Sequence, residues 1–246
     1  MRPAIVFLHG FTHTGRSWDP VIAELGQRYR ALAPDIRGHG VAAERRPVDL
    51  PACVDDVLGE VDGSFALVGY SMGARLALRV ALSAPGRVRR LVLIGGTAGI
   101  ADDIERAERR RRDEALAERI EAVTIEEFVR SWEQQPVLRG QPPAVAQAAR
   151  RDRLRNQPAG LAAALRGLGT GAMDPLWGRL GALPMPATVI VGERDAKFRK
   201  LGERMVAELV DAELVVVPTA GHAVHLEAPA LVAACLRERV PATGSA

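Results

Sequence analysis

Apolar residues along this chain gather in six short runs. They are AIVFL at 4–8, RALAP at 30–34, FALVG at 65–69, RLVLIG at 90–95, ATVIVG at 187–192 and ELVVVP at 213–218. The runs are apolar throughout rather than alternating, so each predicts a strand buried on both faces, as the strands of a parallel sheet are. Between most of them the apolar spacing is helical, as in DPVIAELGQR, LPACVDDVLGEV, MGARLALRVALSA, LGERMVAELV and PALVAACLRERV. Strands alternating with helices predict an open α/β sheet with right-handed crossovers.

The rhythm breaks once. From Thr97 to Pro186 there is no convincing strand, only helical stretches: DIERAERRRRDEALAERIEAV, IEEFVRSWEQQ, PAVAQAARRDRLRN and GLAAALRGLG. A loop of that length without structure of its own would be unusual in a compact domain. The expected organisation is therefore a core sheet domain over 1–96 and 187–246, interrupted by a helical lid over 97–186. No repeat or low-complexity linker interrupts it, and the closing PATGSA is expected to fray.

Composition narrows the function classes. At 246 residues the chain is long enough for a sizeable core, and its 48% hydrophobic and 26% charged residues are ordinary for a globular protein. Lys197 and Lys200 are its only lysines, so the net charge of +3 comes almost wholly from arginine. The basic run ERRRRDE at 108–114 is flanked by acids. It reads as a solvated, salt-bridged helix face, which argues against a nucleic-acid partner. Cys53 and Cys235 show neither metal-type spacing nor a disulfide pattern, so a reduced, cytoplasmic protein is expected. No signal peptide is expected before AIVFLHG, and no apolar run reaches the roughly 18 residues that span a bilayer.

The chemistry concentrates at GYSMG, where Ser71 stands between Gly69 and Gly73. A Gly-x-Ser-x-Gly match is weak alone, but here a strand precedes it and a helix follows, the context of a strained strand-to-helix elbow. The elbow lifts the hydroxyl clear of the sheet and sets the Met72 N–H at a helix N-terminus, where an anionic oxygen is favoured. A serine hydroxyl needs a base, and the base needs an orienting acid, expected in the chain order Ser, Asp or Glu, His. GERDAKF offers Asp195, with Glu193 as the nearer alternative; GHAVHLE offers His222, with His225 as a neighbour that packs or caps. Asp195 is preferred because it lies deeper in its loop and reaches further over the C-terminal edge of the sheet. His222 is preferred because it directly follows Gly221 just past the strand, whereas His225 lies nearer the final helix. His9, His39 and Asp35 are expected to brace turns, with Asp35 the reserve acid. FLHGF ends the first strand, which makes the Phe11 N–H the candidate second donor to an oxyanion. No metal-ligand cluster, phosphate loop or dinucleotide fingerprint is found, so no metal or cofactor is expected.

These motifs, with DIRGHG and AGHAVHLEAP, make the chain similar to the α/β-hydrolase superfamily. GYSMGAR, ERAERRRRD, WEQQPV, RLRNQPAGLAAALRGLGTG, PLW and GERDAKF are narrower. Through them it resembles the 2-succinyl-6-hydroxy-2,4-cyclohexadiene-1-carboxylate synthase family, lyases of menaquinone biosynthesis. The resemblance implies the α/β-hydrolase fold and a cofactor-free elimination of pyruvate from a small polycarboxylate, with Ser71 as base backed by His222 and Asp195. It also implies a substrate site lined by Tyr70, Arg75, Arg109, Trp132 and Arg153. Arginine forks suit carboxylates, and Arg75 sets a cation one turn past the serine. The plainer alternatives are a salt bridge for Arg75, other lid arginines such as Arg106, Arg110 and Arg155, and simple packing for Trp132. Two departures stand out: the N-terminal hairpin usual in the fold is missing, which would expose or re-cover a sheet edge, and Ala74 replaces a common glycine. Nothing in the sequence speaks to oligomeric state.

Overall fold

A computed structural model describes residues 2–240; the expected frayed tail at 241–246 lies outside them. Six strands form: β1 (Ala4–Leu8), β2 (Arg30–Leu32), β3 (Phe65–Tyr70), β4 (Val88–Ile94), β5 (Ala187–Gly192) and β6 (Ala212–Val217). They hydrogen-bond in the order β2-β1-β3-β4-β5-β6, every neighbouring pair parallel.

The sheet is covered on both faces, and the two-residue period of a strand divides its side chains between them. Val6 and Leu8 of β1, Leu67 of β3 and Leu91 and Leu93 of β4 join one apolar cluster, with residues of α2 (Leu50–Gly59), α3 (Met72–Ser83) and α8 (Ala196–Glu208). Ile5, Phe7, Val68, Val92 and Ile94 join the other, with α1 (Asp19–Leu25) and α10 (Pro229–Arg239). This is why the strand sequences lack a polar face. Burial on both faces holds fully for β3 and β5 but not for the edge strands. In β2 no residue is fully buried, and β6 buries only its last, because each has a neighbour on one side alone.

Between β4 and β5 the chain forms α4 (Asp103–Glu121), α5 (Ile125–Trp132), α6 (Pro143–Arg153) and α7 (Pro158–Leu168). Thr124 and Glu127 close a capping box at the start of α5. Ala117 and Ile120 of α4, Phe128 and Val129 of α5, and Leu161, Ala162 and Leu165 of α7 form a third apolar cluster apart from the sheet. Most acidic and basic residues of α4 point outward, with Asp113 the buried exception, and Arg166 of α7 bridges Glu114 and Glu121. Among the described residues, no helix is long and apolar enough to cross a membrane.

The order β2-β1-β3 places a switch point at β1 and β3. The chain leaves β1 for one side of the sheet and returns on the other, which opens a crevice beyond the carboxyl ends of these strands. The loop after β1 and the turn into α3 face each other there.

Candidate active site

Ser71 sits at the crevice with φ 51° and ψ −106°, outside the conformations an L-residue prefers. Such backbone costs on the order of 1–3 kcal/mol and survives only where the surroundings enforce it. Two glycines allow that enforcement. A Cβ at position 69 would fall 2.4 Å from the Gly73 carbonyl oxygen, and one at position 73 would fall 2.1 Å from that of Leu8. β3, α3 and β1 thus meet backbone to backbone, with the Ser71 N–H bonded to the Ile94 carbonyl at 2.9 Å.

The His222 Nε2 lies 3.3 Å from Ser71 Oγ, and its Nδ1 lies 2.7 Å from Asp195 Oδ2. A carboxylate accepts only, so Nδ1 carries the proton and Nε2 is left to accept one from the serine. Asp195 also caps α8, its Oδ1 receiving the Phe198 N–H. The imidazole packs on Phe198 at 4.4 Å and on Tyr70 at 5.3 Å. The loop ahead of it is tied down by Glu227, which accepts from the Gly221 N–H and from Arg194. Sequence reasoning did not single out Glu227, although it lies within the AGHAVHLEAP motif.

The rival acid and base point elsewhere. Glu193 accepts the Thr219 N–H at 2.9 Å. His225 is fully buried, its ring 4.6 Å from Trp18 and 4.2 Å from Tyr70, and burial lowers its pKa well below the ordinary value. His225 belongs to α9 (Val224–Glu227), a four-residue helix too short to leave a periodic signal. Asp35 braces a turn through the Gly15 and Val41 amides, and His9 accepts from the Ile36 N–H.

Phe11 lies in the loop after β1, and Met72 directly follows the serine at the first position of α3. Neither N–H has a hydrogen-bond partner among the described residues. Both are free to meet developing negative charge.

The arginines differ. Arg153 is only 1% exposed, its nearest acid is Glu133 at 4.0 Å, and its Nε and Nη2 have no partner among the described residues. It borders a cavity of about 250 Å³ lined also by Glu133, Leu138, Gln141, Gln147 and Arg150. Arg75 is buried too, its Nη1 donating to the Leu168 carbonyl at 2.6 Å at the end of α7; burial and the nearby Arg109 lower its pKa to about 10. Arg109 is half exposed and donates to Asp113 at 2.7 Å. Of the alternatives, Arg106 turns to Asp103 and the Ile100 carbonyl, while Arg110 and Arg155 are exposed. Trp132 packs edge-on against Phe11 at 5.4 Å, so the insertion meets the loop after β1 directly. Tyr70 is buried below the elbow, its hydroxyl pKa raised by burial.

Residues 5–235 match the alpha/beta hydrolase family, and the chain belongs to it. A 2-succinyl-6-hydroxy-2,4-cyclohexadiene-1-carboxylate synthase of Klebsiella pneumoniae is 35% identical over 96% of this chain and 93% of its own length. Among solved structures, MenH from S. aureus superposes with a TM-score of 0.89 at 30% identity, over 96% of this chain and 94% of that one. A thermophilic esterase from Thermogutta terrifontis, with malate bound, gives 0.80 at 29% identity, over 96% and 88%. Within the alpha/beta hydrolases, this chain belongs with the 2-succinyl-6-hydroxy-2,4-cyclohexadiene-1-carboxylate synthases.

Proposed function

We propose that the chain converts 2-succinyl-5-enolpyruvyl-6-hydroxy-3-cyclohexene-1-carboxylate to 2-succinyl-6-hydroxy-2,4-cyclohexadiene-1-carboxylate with release of pyruvate. Comparing the two names fixes the bonds that change. The ring carbon bearing the succinyl group loses its hydrogen, the double bond moves, and the bond from ring carbon 5 to the enolpyruvyl oxygen breaks. The departing enolate of pyruvate takes up a proton, so the step needs no oxidant and no water.

In this reading Ser71 removes that hydrogen. Its proton passes to His222 Nε2, which leaves Oγ basic enough to attack an acidic C–H. The carbon is acidic because the succinyl carbonyl accepts its electron pair as an enolate, and the Phe11 and Met72 amides supply donors for that oxygen. The substrate carries three carboxylates, one on the ring, one on the succinyl arm and one on the enolpyruvyl group. We assign these to Arg75, Arg109 and Arg153, whose guanidinium forks suit carboxylates.

The observation that carries this reading is Arg153, buried with two unpartnered nitrogens at the edge of a cavity and within electrostatic reach of Tyr70, the residue before Ser71. An uncompensated buried charge costs several kcal/mol, and a carboxylate would offset that cost. Pyruvate release, followed by coupling to lactate dehydrogenase, is the test. Turnover is expected to vanish in Ser71→Ala and to fall sharply in Arg153→Ala.

The alternative is a serine esterase, supported by the same Ser–His–Asp geometry and by the similarity to the Thermogutta enzyme. Fast hydrolysis of aryl esters without pyruvate release would establish it in place of the lyase.

A further inference from the structure

Asp152, one residue before Arg153, turns away from the insertion and into the loop after β1. Its carboxylate accepts three hydrogen bonds: from the His13 ring at 2.9 Å, from the Thr14 N–H at 3.0 Å and from the Thr14 hydroxyl. One turn on, Asn156 donates to the Thr12 carbonyl at 2.8 Å and accepts the Gly40 N–H at 3.0 Å. Every residue of the stretch 12–14 is therefore held by the end of α6 and the turn that follows it. That stretch follows directly on Phe11, and Thr12 within it has φ 70°. A loop in that backbone region needs outside support to keep its shape.

The contact is buried on both sides, with His13 2% and Asp152 7% exposed. Burial pushes the Asp152 carboxyl pKa up, but the bonds from His13 and Thr14 outweigh it and hold it below the ordinary value. Burial also lowers the His13 pKa against the pull of Asp152. His13 is thus neutral at pH 7, its Nδ1–H donating to a charged acceptor, which makes the bond a strong one.

We propose that Asp152 and His13 form a positioning pair: the end of α6 grips residues 12–14 and so sets where the Phe11 N–H points. The inference rests on the reading of Phe11 as an oxyanion donor. It assigns a role to two residues outside the Ser–His–Asp chain and the arginine set. It also means that the helix turn carrying Arg153 fixes the oxyanion donor at the same time.

The test uses a fluorophosphonate, which reads the serine and its oxyanion donors without needing the ring substrate. An Oγ–P bond forms at Ser71, fluoride leaves, and the serine proton goes to His222. Labelling rates are compared at a temperature where circular dichroism shows each variant folded. Asp152→Ala and His13→Ala are expected to slow labelling at least 10-fold, as for loss or misplacement of an oxyanion donor. His13→Asn, whose side-chain amide places a donor near the lost Nδ1–H, is expected to return to within about threefold of the parent. Leu236→Ala, a truncation in the sheet core, lowers the melting temperature and leaves labelling unchanged.

Wild-type labelling in Asp152→Ala, no recovery in His13→Asn, or no labelling of the parent protein would each overturn the proposal. Should Asp152→Ala fail to fold, the His13 pair decides alone. Pyruvate release separates the two claims. If it is absent while the labelling pattern holds, the lyase reading fails and the positioning pair stands. If it is present with labelling unchanged in the variants, the reverse is true.

Discussion

Asp195 divides its carboxylate between two tasks. Oδ2 meets His222 Nδ1 at 2.7 Å while Oδ1 accepts the Phe198 N–H that opens α8. Asn can cap a helix nearly as well as Asp but cannot hold the imidazole in the same tautomer. Asp195→Asn is therefore expected to lose about 10²- to 10⁴-fold in kcat with little change in melting temperature. Asp195→Ala should lose the same activity and about 1 kcal/mol of stability as well. Steady-state kinetics beside thermal melts distinguish the two.

Ser71 holds a backbone that glycine adopts without strain. A glycine elsewhere in a helix start would destabilise through the unfolded chain by about 0.4–1 kcal/mol. Here the relief of strain, about 1–3 kcal/mol, is larger. Ser71→Gly is expected to be inactive yet more stable than Ser71→Ala; a lower urea midpoint for the glycine variant would show that the elbow is unstrained.

Burial of Arg153 without a full set of partners predicts a trade between stability and function. Replacing it with Met keeps the volume and removes the charge, which is expected to stabilise the fold by about 1–4 kcal/mol. The same change should raise KM at least 10-fold through a lost carboxylate contact. Chemical denaturation and KM for the ring substrate, measured on one preparation, check both halves.

Stability should fall in mild acid. Burial lowers the pKa of His9 to about 4 and that of His39 to about 3, against 6.5 for the free side chain. Between pH 6.5 and about 4 the unfolded chain binds protons that the folded chain refuses, so unfolding becomes easier as pH drops through that window. Each ring contributes on the order of 1.4 kcal/mol per pH unit there. Urea midpoints from pH 7 to pH 5 should decline, and His39→Asn should flatten the decline; a pH-independent midpoint would contradict it.

What was legible in the sequence is what is local. The strand at 65–70, the serine between two glycines and the helix behind it are contiguous, so the elbow could be read as a pattern. Asp195 and His222 could be placed because each follows a strand whose carboxyl end must face the crevice. The partners of the arginines could not be read. Arg75 reaches Leu168 and Asp152 reaches His13, across 93 and 139 residues, and helical periodicity says nothing about such distances. Exposure of the edge strands was missed for a related reason. An apolar run carries no mark of whether it has one neighbour or two.

The insertion keeps an apolar cluster of its own, yet Phe11 packs against both that cluster and the sheet's. On the proposed function, such an enzyme can exchange the walls of its binding chamber by drift in α4–α6 while Ser71, His222 and Asp195 stay under selection on a separate scaffold. Phe11, the buried Ala164 and Leu168 of α7 and a few polar clasps are the seam along which new specificities would be fitted.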